Sequence, residues 1–188
     1  MAVVRILSMP LRQPGWFVFF GTVNGVAFLT VAALPLSALA VWALARRRRG
    51  AGVTSAGRLS LAEVGVVHGT VPWVWIIMLA GGEAGAVSLV PLRDLLSMSA
   101  SQVVGNLLVF AALGFFGPIR YAALASVPRV LALAAACSVL VETAQYVLPL
   151  HRVSSVDDVL LNAGGAGLAA LASRRWWRAP VSGARAPR

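Results

Sequence analysis

The polar residues with the clearest potential for chemistry lie close together towards the C-terminal end of the chain. Between Cys137 and Leu171, an otherwise apolar stretch contains carboxylates, amides and a guanidinium group: Glu142, Gln145, Arg152, Asp157, Asp158 and Asn162. Ionisable side chains are costly to place inside apolar segments, so such residues are functional-site candidates. Arginine binds phosphate or carboxylate bidentately, and a buried glutamate is a typical general acid or base. The pattern therefore indicates either an anion-binding site or a site of proton transfer.

The composition indicates that this site belongs to an integral membrane protein. Of the 188 residues, 59% are apolar and 12% are charged, and the mean hydropathy is +0.83. The formal net charge is +10, but all sixteen basic residues are arginines and most flank apolar segments. That placement is typical of topology signals and anionic-lipid contacts, and it argues against nucleic-acid binding. The single cysteine excludes a disulfide within the chain, and we predict neither a cofactor nor a metal site.

Apolar segments must position these polar residues, and we predict an all-α membrane protein with a bundle of about five transmembrane helices. The five segments lie at residues 15–45, 61–80, 100–118, 130–148 and 156–172. The first is longer than the roughly 30 Å hydrocarbon core requires, so we expect it to tilt or to kink at Pro35. Ser99 and Gln102 have the spacing of a capping box, which predicts the start of the third helix there.

The distribution of arginines predicts the orientation of this bundle. With five spans, twelve of the sixteen arginines fall on one side, whereas Arg5, Arg12, Arg93 and Arg152 fall on the other. The positive-inside rule places the twelve in the cytoplasm, which gives an outside N-terminus and a cytoplasmic C-terminus. The polar residues near the helix ends then converge on the outer face of a multi-pass protein of the cell membrane.

Helical spacing predicts one polar stripe on the fourth segment, formed by Ser138, Glu142 and Gln145. We expect Glu142 to pair with Arg152, with Gln145 and Asn162 completing the hydrogen bonds, because an unpaired carboxylate at that depth is costly. A structural alternative remains for Glu142, as an ion pair that only fixes helix packing. Interhelical hydrogen bonding is the corresponding alternative for Asn162.

Structural alternatives also exist for the other acidic residues. Ser154 and Ser155 precede Asp157 and Asp158 with the spacing of a helix N-terminus, where serine caps the helix and aspartate offsets its dipole. Arg93 and Asp94 are adjacent in a predicted loop and fit an ordinary solvated pair.

The positions of these residues resemble those of VanZ-like membrane proteins, a family named for a determinant of resistance to the glycopeptide teicoplanin. One family block carries Asn, Phe and Gly, which match Asn106, Phe110 and Gly114 here. A second block carries Glu-x-x-Gln, an arginine, an acidic pair, Asn and Gly, matched here by Glu142, Gln145, Arg152, Asp157, Asp158, Asn162 and Gly165. Arg93 follows a proline-containing loop similar to the family's, and Ser155 stands where the family is often acidic.

The resemblance covers about residues 61–172 and implies a domain organisation. The segment at 15–45 is then an added helix before a four-helix domain (61–172). Composition predicts an irregular lead (1–14) and a basic, disordered tail (173–188) on either side. The resemblance also implies a role in the cell envelope, in some members linked to lower glycopeptide susceptibility, but it supplies no reaction. Phe110, Gly114 and Gly165 are expected to be structural, and the other matched positions together with Arg93 are expected to bind.

Two functional hypotheses and one structural alternative follow. In the first, the polar cluster binds membrane lipids, a lipid-linked cell-wall precursor or a lipid-tailed glycopeptide. In the second, an intramembrane enzyme acts on a lipid-linked substrate, with Glu142 as general acid or base and Asp157 and Asp158 holding a divalent cation. The sequence has no catalytic triad, zinc motif or phosphate loop, so the interpretation leans away from an enzyme. A purely structural role for the cluster is the third possibility.

Overall fold

A computed structural model of the protein describes residue 19 and residues 21–81, 86–148 and 150–177. Its helices are α1 (Val23–Ala32), α2 (Leu34–Gly50), α3 (Ala56–Ile77), α4 (Ala100–Val109), α5 (Ala111–Arg120), α6 (Val127–Val147) and α7 (Val156–Ser173). Two short strands, β1 (Ala86–Ser88) and β2 (Val153–Ser155), complete the fold together with single 3₁₀ turns at Ala122–Leu124 and Arg174–Trp176. The predicted all-α membrane class is confirmed.

Local sequence signals account for several helix boundaries. The long first segment is bent by 40° between α1 and α2, and Pro35 lies in the first turn of α2, where proline is favoured. The kink predicted at Pro35 is therefore present. Ser99 caps α4 by accepting the backbone N–H of Gln102, whose side chain bonds back to the Ser99 N–H, so the predicted capping box is also confirmed.

By length and composition, three helical stretches can cross a membrane: Ala56–Ile77, Ala100–Arg120 and Val127–Val147. The bent pair α1–α2 adds a fourth if it forms one span. In the described residues α7, which we predicted to be the fifth span, is not among these candidates. The reason is its composition, because Asp157, Asp158 and Asn162 occupy its first turns and small residues follow.

α7 lies at the centre of the bundle, packed against α4, α5 and α6. Small residues permit this close approach: a Cβ added to Gly165 would overlap the backbone carbonyl of Leu107, and one added to Gly114 would overlap that of Ala166. Ala166 and Ala170 are completely buried in the same interface. One face of α7 thus contributes small side chains to the core, whereas Leu160, Leu168 and Leu171 on the same helix are exposed.

The two strands pair in parallel, with Ala86 opposite Val153 and Ser88 opposite Ser155. These strands could not be predicted from the sequence, since three-residue strands carry too little alternation to be recognised. Their pairing places the loop before α4 against the start of α7.

Near the N-terminal end of α3 lies a group of charged residues that we call the Glu63 cluster. It is formed by Arg48, Glu63 and Arg120. Arg48 Nη2 lies 2.5 Å from Glu63 Oε2, and Arg120 Nε lies 2.6 Å from the same oxygen. Arg48 also donates to Ser60 Oγ at 2.7 Å. The cluster therefore connects α2, α3 and α5 near the arginine-rich end of the bundle.

Candidate functional site

A cleft of about 630 Å³ opens at the end of the bundle where α3 and α6 finish and α4 and α7 begin. One part of its wall is apolar, with Trp73, Ile76 and Ile77 from the end of α3 and Met98 from the loop before α4. The rest is largely polar and is formed by Asp94, Ser97, Gln102, Asn106, His151, Arg152, Ser155 and Asp158. The cleft thus combines charged groups with an apolar surface at one end of a membrane bundle.

Asp157 organises the loop that forms one side of this cleft. Its carboxylate is almost completely buried (2% exposed) and accepts three backbone N–H groups. Oδ1 accepts from Leu92 at 2.5 Å, and Oδ2 accepts from Asp94 at 2.9 Å and from Leu95 at 3.0 Å. Leu92 has a φ of 64°, a left-handed conformation that is unfavourable for leucine. The three hydrogen bonds compensate that cost and fix the loop against α7.

Ser155 links the same loop to the helix start. It is the N-cap of α7, where its Oγ accepts the Asp157 N–H at 3.1 Å, and it donates to Asp94 Oδ2 at 2.7 Å. Hydrogen bonds from Ser88 and Ser155 lower the pKa of Asp94 below its ordinary value. Helix capping, the structural alternative for this region, is therefore observed for Ser155, whereas Asp157 binds the loop instead of acting only on the dipole.

Asp158 and Arg152 bring opposite charges into the cleft without forming an ion pair. Asp158 accepts a hydrogen bond from the Asn106 side-chain amide, so these two predicted residues are brought together. Arg152 lies close enough to attract both Glu142 and Asp158 electrostatically. In the described part of the chain, however, its guanidinium has no hydrogen-bond partner, and salt bridges occur only at Glu63.

Glu142 lies outside the residues that line the cleft, and the expected ion pair with Arg152 is absent from the described residues. Its carboxylate instead accepts the Ser155 N–H at 3.2 Å, and its backbone carbonyl accepts from Ser154 Oγ at 3.1 Å. The expected pairing is therefore wrong in this structure. The physical reason is that β2 supplies neutral donors to Glu142, which sequence spacing does not reveal.

Gln145 and Asn162 were expected to complete the hydrogen bonds around that ion pair, and the structure gives them other partners. Gln145 donates to the backbone carbonyl of Ile77 at 2.7 Å, one of the carbonyls left unpaired at the end of α3. Asn162 donates to Ser138 Oγ at 2.7 Å and is 1% exposed. Both bonds join neighbouring helices, as in the interhelical alternative for Asn162.

The remaining predicted residues lie away from the cleft. Arg93 is exposed and is not among the residues that line it. Phe110 is 3% exposed and belongs to the buried core together with Val109. Gly114 and Gly165 occupy the close helix contacts described above. These placements are consistent with the structural roles expected for Phe110, Gly114 and Gly165. The binding role of Arg93 stays a prediction.

Sequence reasoning missed the apolar wall and part of the polar wall. Gly81 is an example, because a Cβ there would lie 2.5 Å from His151 O and 2.7 Å from Arg152 Cγ. Its backbone N–H donates to Leu150 O at 2.7 Å, which holds the segment containing Arg152 against the end of α3. The tryptophan at position 73 near a helix end was a visible signal, but the contacts of Gly81 depend on a fold that brings residues 81 and 152 together.

A comparison with protein families identifies the family of this chain. The model of the family described as VanZ/LLP1 matches residues 66–177, which is more than half of the chain and includes α4 to α7 with the whole polar cleft. No curated protein and no solved structure matches the chain.

Proposed function

Because this chain belongs to the VanZ/LLP1 family of helical membrane proteins, we propose that it is a binding protein of the cell envelope whose cleft takes the polar headgroup of an amphiphilic molecule. One observation carries the proposal: Arg152 lines a cleft that also has an apolar wall, and no described residue hydrogen-bonds to its guanidinium. An arginine in this state is available for a phosphate or carboxylate, which it binds with charge-assisted hydrogen bonds.

The surroundings of Arg152 support the same conclusion. The cleft volume of about 630 Å³ is within the range of small-molecule sites. Trp73 and Ile76, both partly exposed, offer apolar surface for the first carbons of a lipid tail, while Arg152 and Asn106 offer donors for the headgroup. A ligand with one polar and one apolar end therefore complements both parts of the wall.

Two observations favour binding over catalysis. Glu142, the candidate general acid or base, lies outside the cleft wall and accepts a hydrogen bond from a backbone N–H. Both Asp157 oxygens accept backbone N–H groups, so this residue does not present a carboxylate to a cation beside Asp158. Within the described residues no group of three or more potential metal-ligating side chains is present.

The binding proposal is tested with full-length protein in detergent, titrated with phosphatidylglycerol, phosphatidylethanolamine and phosphatidylcholine and measured by native mass spectrometry. Arg152→Gln should weaken binding of the preferred lipid by about tenfold, the loss expected for a charge-assisted contact. Arg58→Gln, a matched change at the arginine-rich end, should bind as the wild type does. If Arg152→Gln binds all three lipids with unchanged affinity, the proposal is wrong.

We also propose that the cleft faces outwards and that its occupancy alters susceptibility to lipid-tailed glycopeptides. The arginine distribution supports the orientation: the described helix ends near the Glu63 cluster carry most of the arginines. Ser97→Cys in a Cys137→Ser background should react in intact cells with a membrane-impermeant maleimide, and failure to react before permeabilisation would contradict the orientation.

Teicoplanin tolerance should fall with Arg152→Gln at equal membrane levels, and unchanged tolerance would contradict the glycopeptide role.

A further inference from the structure

The charges in the cleft are unequal in number and sign. Its wall carries one guanidinium, from Arg152, and two carboxylates, from Asp94 and Asp158. Because Asp94, Arg152 and Asp158 line the same cleft, the two carboxylates repel each other and both are attracted to the guanidinium. A single arginine therefore neutralises at most one of two mutually repelling carboxylates in the same cleft.

The hydrogen bonds that these carboxylates receive do not change this balance. Asp158 accepts from the Asn106 amide, and Asp94 accepts from the hydroxyls of Ser88 and Ser155. All of these donors are uncharged, and within the described ranges neither carboxylate forms an ion pair. Arg93, an exposed neighbour outside the wall, also attracts Asp94. The wall itself thus holds two carboxylates beside one guanidinium, which has no hydrogen-bond partner among the described residues.

This arrangement selects against a simple anion and a simple cation alike. A purely anionic headgroup would be attracted by Arg152 but repelled by Asp94 and Asp158, whereas a cation alone would leave Arg152 without a partner. A zwitterion satisfies both signs at once. A primary ammonium also supplies N–H donors that two carboxylate oxygens can share, which a quaternary ammonium does not.

The apolar part of the wall indicates how such a zwitterion is presented. Trp73, Ile76 and Ile77 border the cleft at the end of α3, a candidate membrane span, and Met98 borders it from the loop before α4. A soluble zwitterion would leave this surface uncovered, whereas a lipid would cover it with the carbons next to its headgroup.

We propose that the cleft, in the binding role proposed above, takes the headgroup of a zwitterionic aminophospholipid, with the phosphate on Arg152 and the ammonium on Asp94 and Asp158. The inference rests on that role and adds the chemical class of the ligand. Phosphatidylethanolamine is the simplest lipid of this class.

Lipid competition on the full-length protein by native mass spectrometry tests the class. Phosphatidylethanolamine should bind about tenfold more tightly than phosphatidylglycerol, which lacks the ammonium, and than phosphatidylcholine, which lacks its N–H donors. Equal or tighter binding of phosphatidylglycerol would overturn the assignment, and so would equal binding of phosphatidylcholine. Soluble glycerophosphoethanolamine should compete only weakly, and displacement at equal affinity would overturn the lipid as the source.

Variants separate this inference from the proposed function. Asp94→Asn with Asp158→Asn should abolish the preference for phosphatidylethanolamine over phosphatidylglycerol while Arg152-dependent binding persists. Arg152-dependent binding that favours phosphatidylglycerol in the wild type would refute the headgroup assignment alone, whereas binding independent of Arg152 would refute the binding role itself. If the double variant melts more than a few degrees below the wild type, Asp94→Asn alone provides the comparison, and an unchanged preference in it overturns the role of that carboxylate.

Discussion

The two ends of α3 hold carboxylates in opposite ways. Near its start, Glu63 accepts hydrogen bonds from Arg48 and Arg120 through one oxygen. About 20 Å away by helical rise, the carboxylates around the cleft accept from backbone N–H groups, an amide and serine hydroxyls. One end therefore pairs charge with charge, and the other supports charge with neutral donors.

In our proposal, this difference separates a cluster that stabilises the fold from a cleft that binds a ligand. In the Glu63 cluster, Arg48 and Arg120 donate hydrogen bonds to Glu63 within the same chain. These bonds hold α2 against the rest of the bundle. Arg48 and Glu63 both lie outside the family match at residues 66–177, whereas Arg120 lies inside it, so the cluster joins the matched region to the preceding helix α2. At the cleft, neutral donors satisfy the carboxylates, which leaves Arg152 available for the ligand that we propose.

The largest effect is expected from Glu63→Gln, which leaves two neighbouring arginines without their shared counter-charge. Removing one partner of a buried ion pair costs about 3–5 kcal/mol, and the partial exposure of this cluster, with side chains 19–34% exposed, reduces the expected loss to about 2 kcal/mol. Thermal unfolding in detergent should show a clearly lower midpoint, with lipid binding by the remaining folded protein unchanged.

Arg58→Gln is the matched control for the Glu63 experiment, because Arg58 is an exposed residue at the same end of α3. Its midpoint should stay close to that of the wild type. An unchanged midpoint in Glu63→Gln, or a loss of lipid affinity as large as that of Arg152→Gln, would remove the distinction between the two ends.

A smaller effect on global stability, centred on the cleft, is expected from Asp157→Asn. The change replaces a charged acceptor of three backbone N–H groups by an amide with one acceptor oxygen, and hydrogen bonds to charged groups contribute about 1.5–3 kcal/mol. We expect the free energy of local opening of residues 92–95 to fall by about 2 kcal/mol. The free energy of global unfolding should fall by less than in Glu63→Gln. Hydrogen exchange should then accelerate at the amides of Leu92, Asp94 and Leu95.

Amides in the middle of α3 provide the internal control for this exchange experiment, since they lie away from the loop. Their exchange should be unchanged if the effect is local. Uniform acceleration across the bundle would show that Asp157 supports the fold as a whole, and no acceleration in the loop would show that its three hydrogen bonds contribute little.

The sequence sufficed for features that depend on local patterns. Apolar segments, the kink near Pro35 and the capping box at Ser99 follow from propensity and spacing, and the structure contains all three. The clustering of Asn106 with Asp158 also followed, since both lie near helix ends on the same predicted level.

Features that depend on contacts across the chain were not predictable in this way. Arg48 belongs to a run of four arginines, Arg46–Arg49, that fits a stop-transfer block. Nothing in the local sequence shows which arginine of this run contacts Glu63. Asp157 fits a helix N-terminus, but its hydrogen-bond partners lie more than 60 positions away in a loop. Leu92 in that loop has a left-handed backbone conformation, and no glycine stands there to indicate it in the sequence. Only the fold distinguishes these residues from their neighbours of the same type.

The smallest effect is expected from the titration of Asp94, the cleft carboxylate that two serine hydroxyls hydrogen-bond. Because these bonds lower the pKa of Asp94 in the folded protein, folding is favoured by its ionised form. That contribution is complete above the ordinary aspartate pKa of about 4 and is lost as the pH falls through the lower folded value. Thermal midpoints between pH 3 and pH 7 should therefore fall less steeply below pH 4 in Asp94→Asn than in the wild type, with a slightly lower plateau at pH 7. Ser155→Ala removes one donor and should give an intermediate slope. Identical slopes in all three proteins would mean that neutral donors do not stabilise the ionised Asp94 at the cleft. The contrast with Glu63, which arginines stabilise, would then no longer hold.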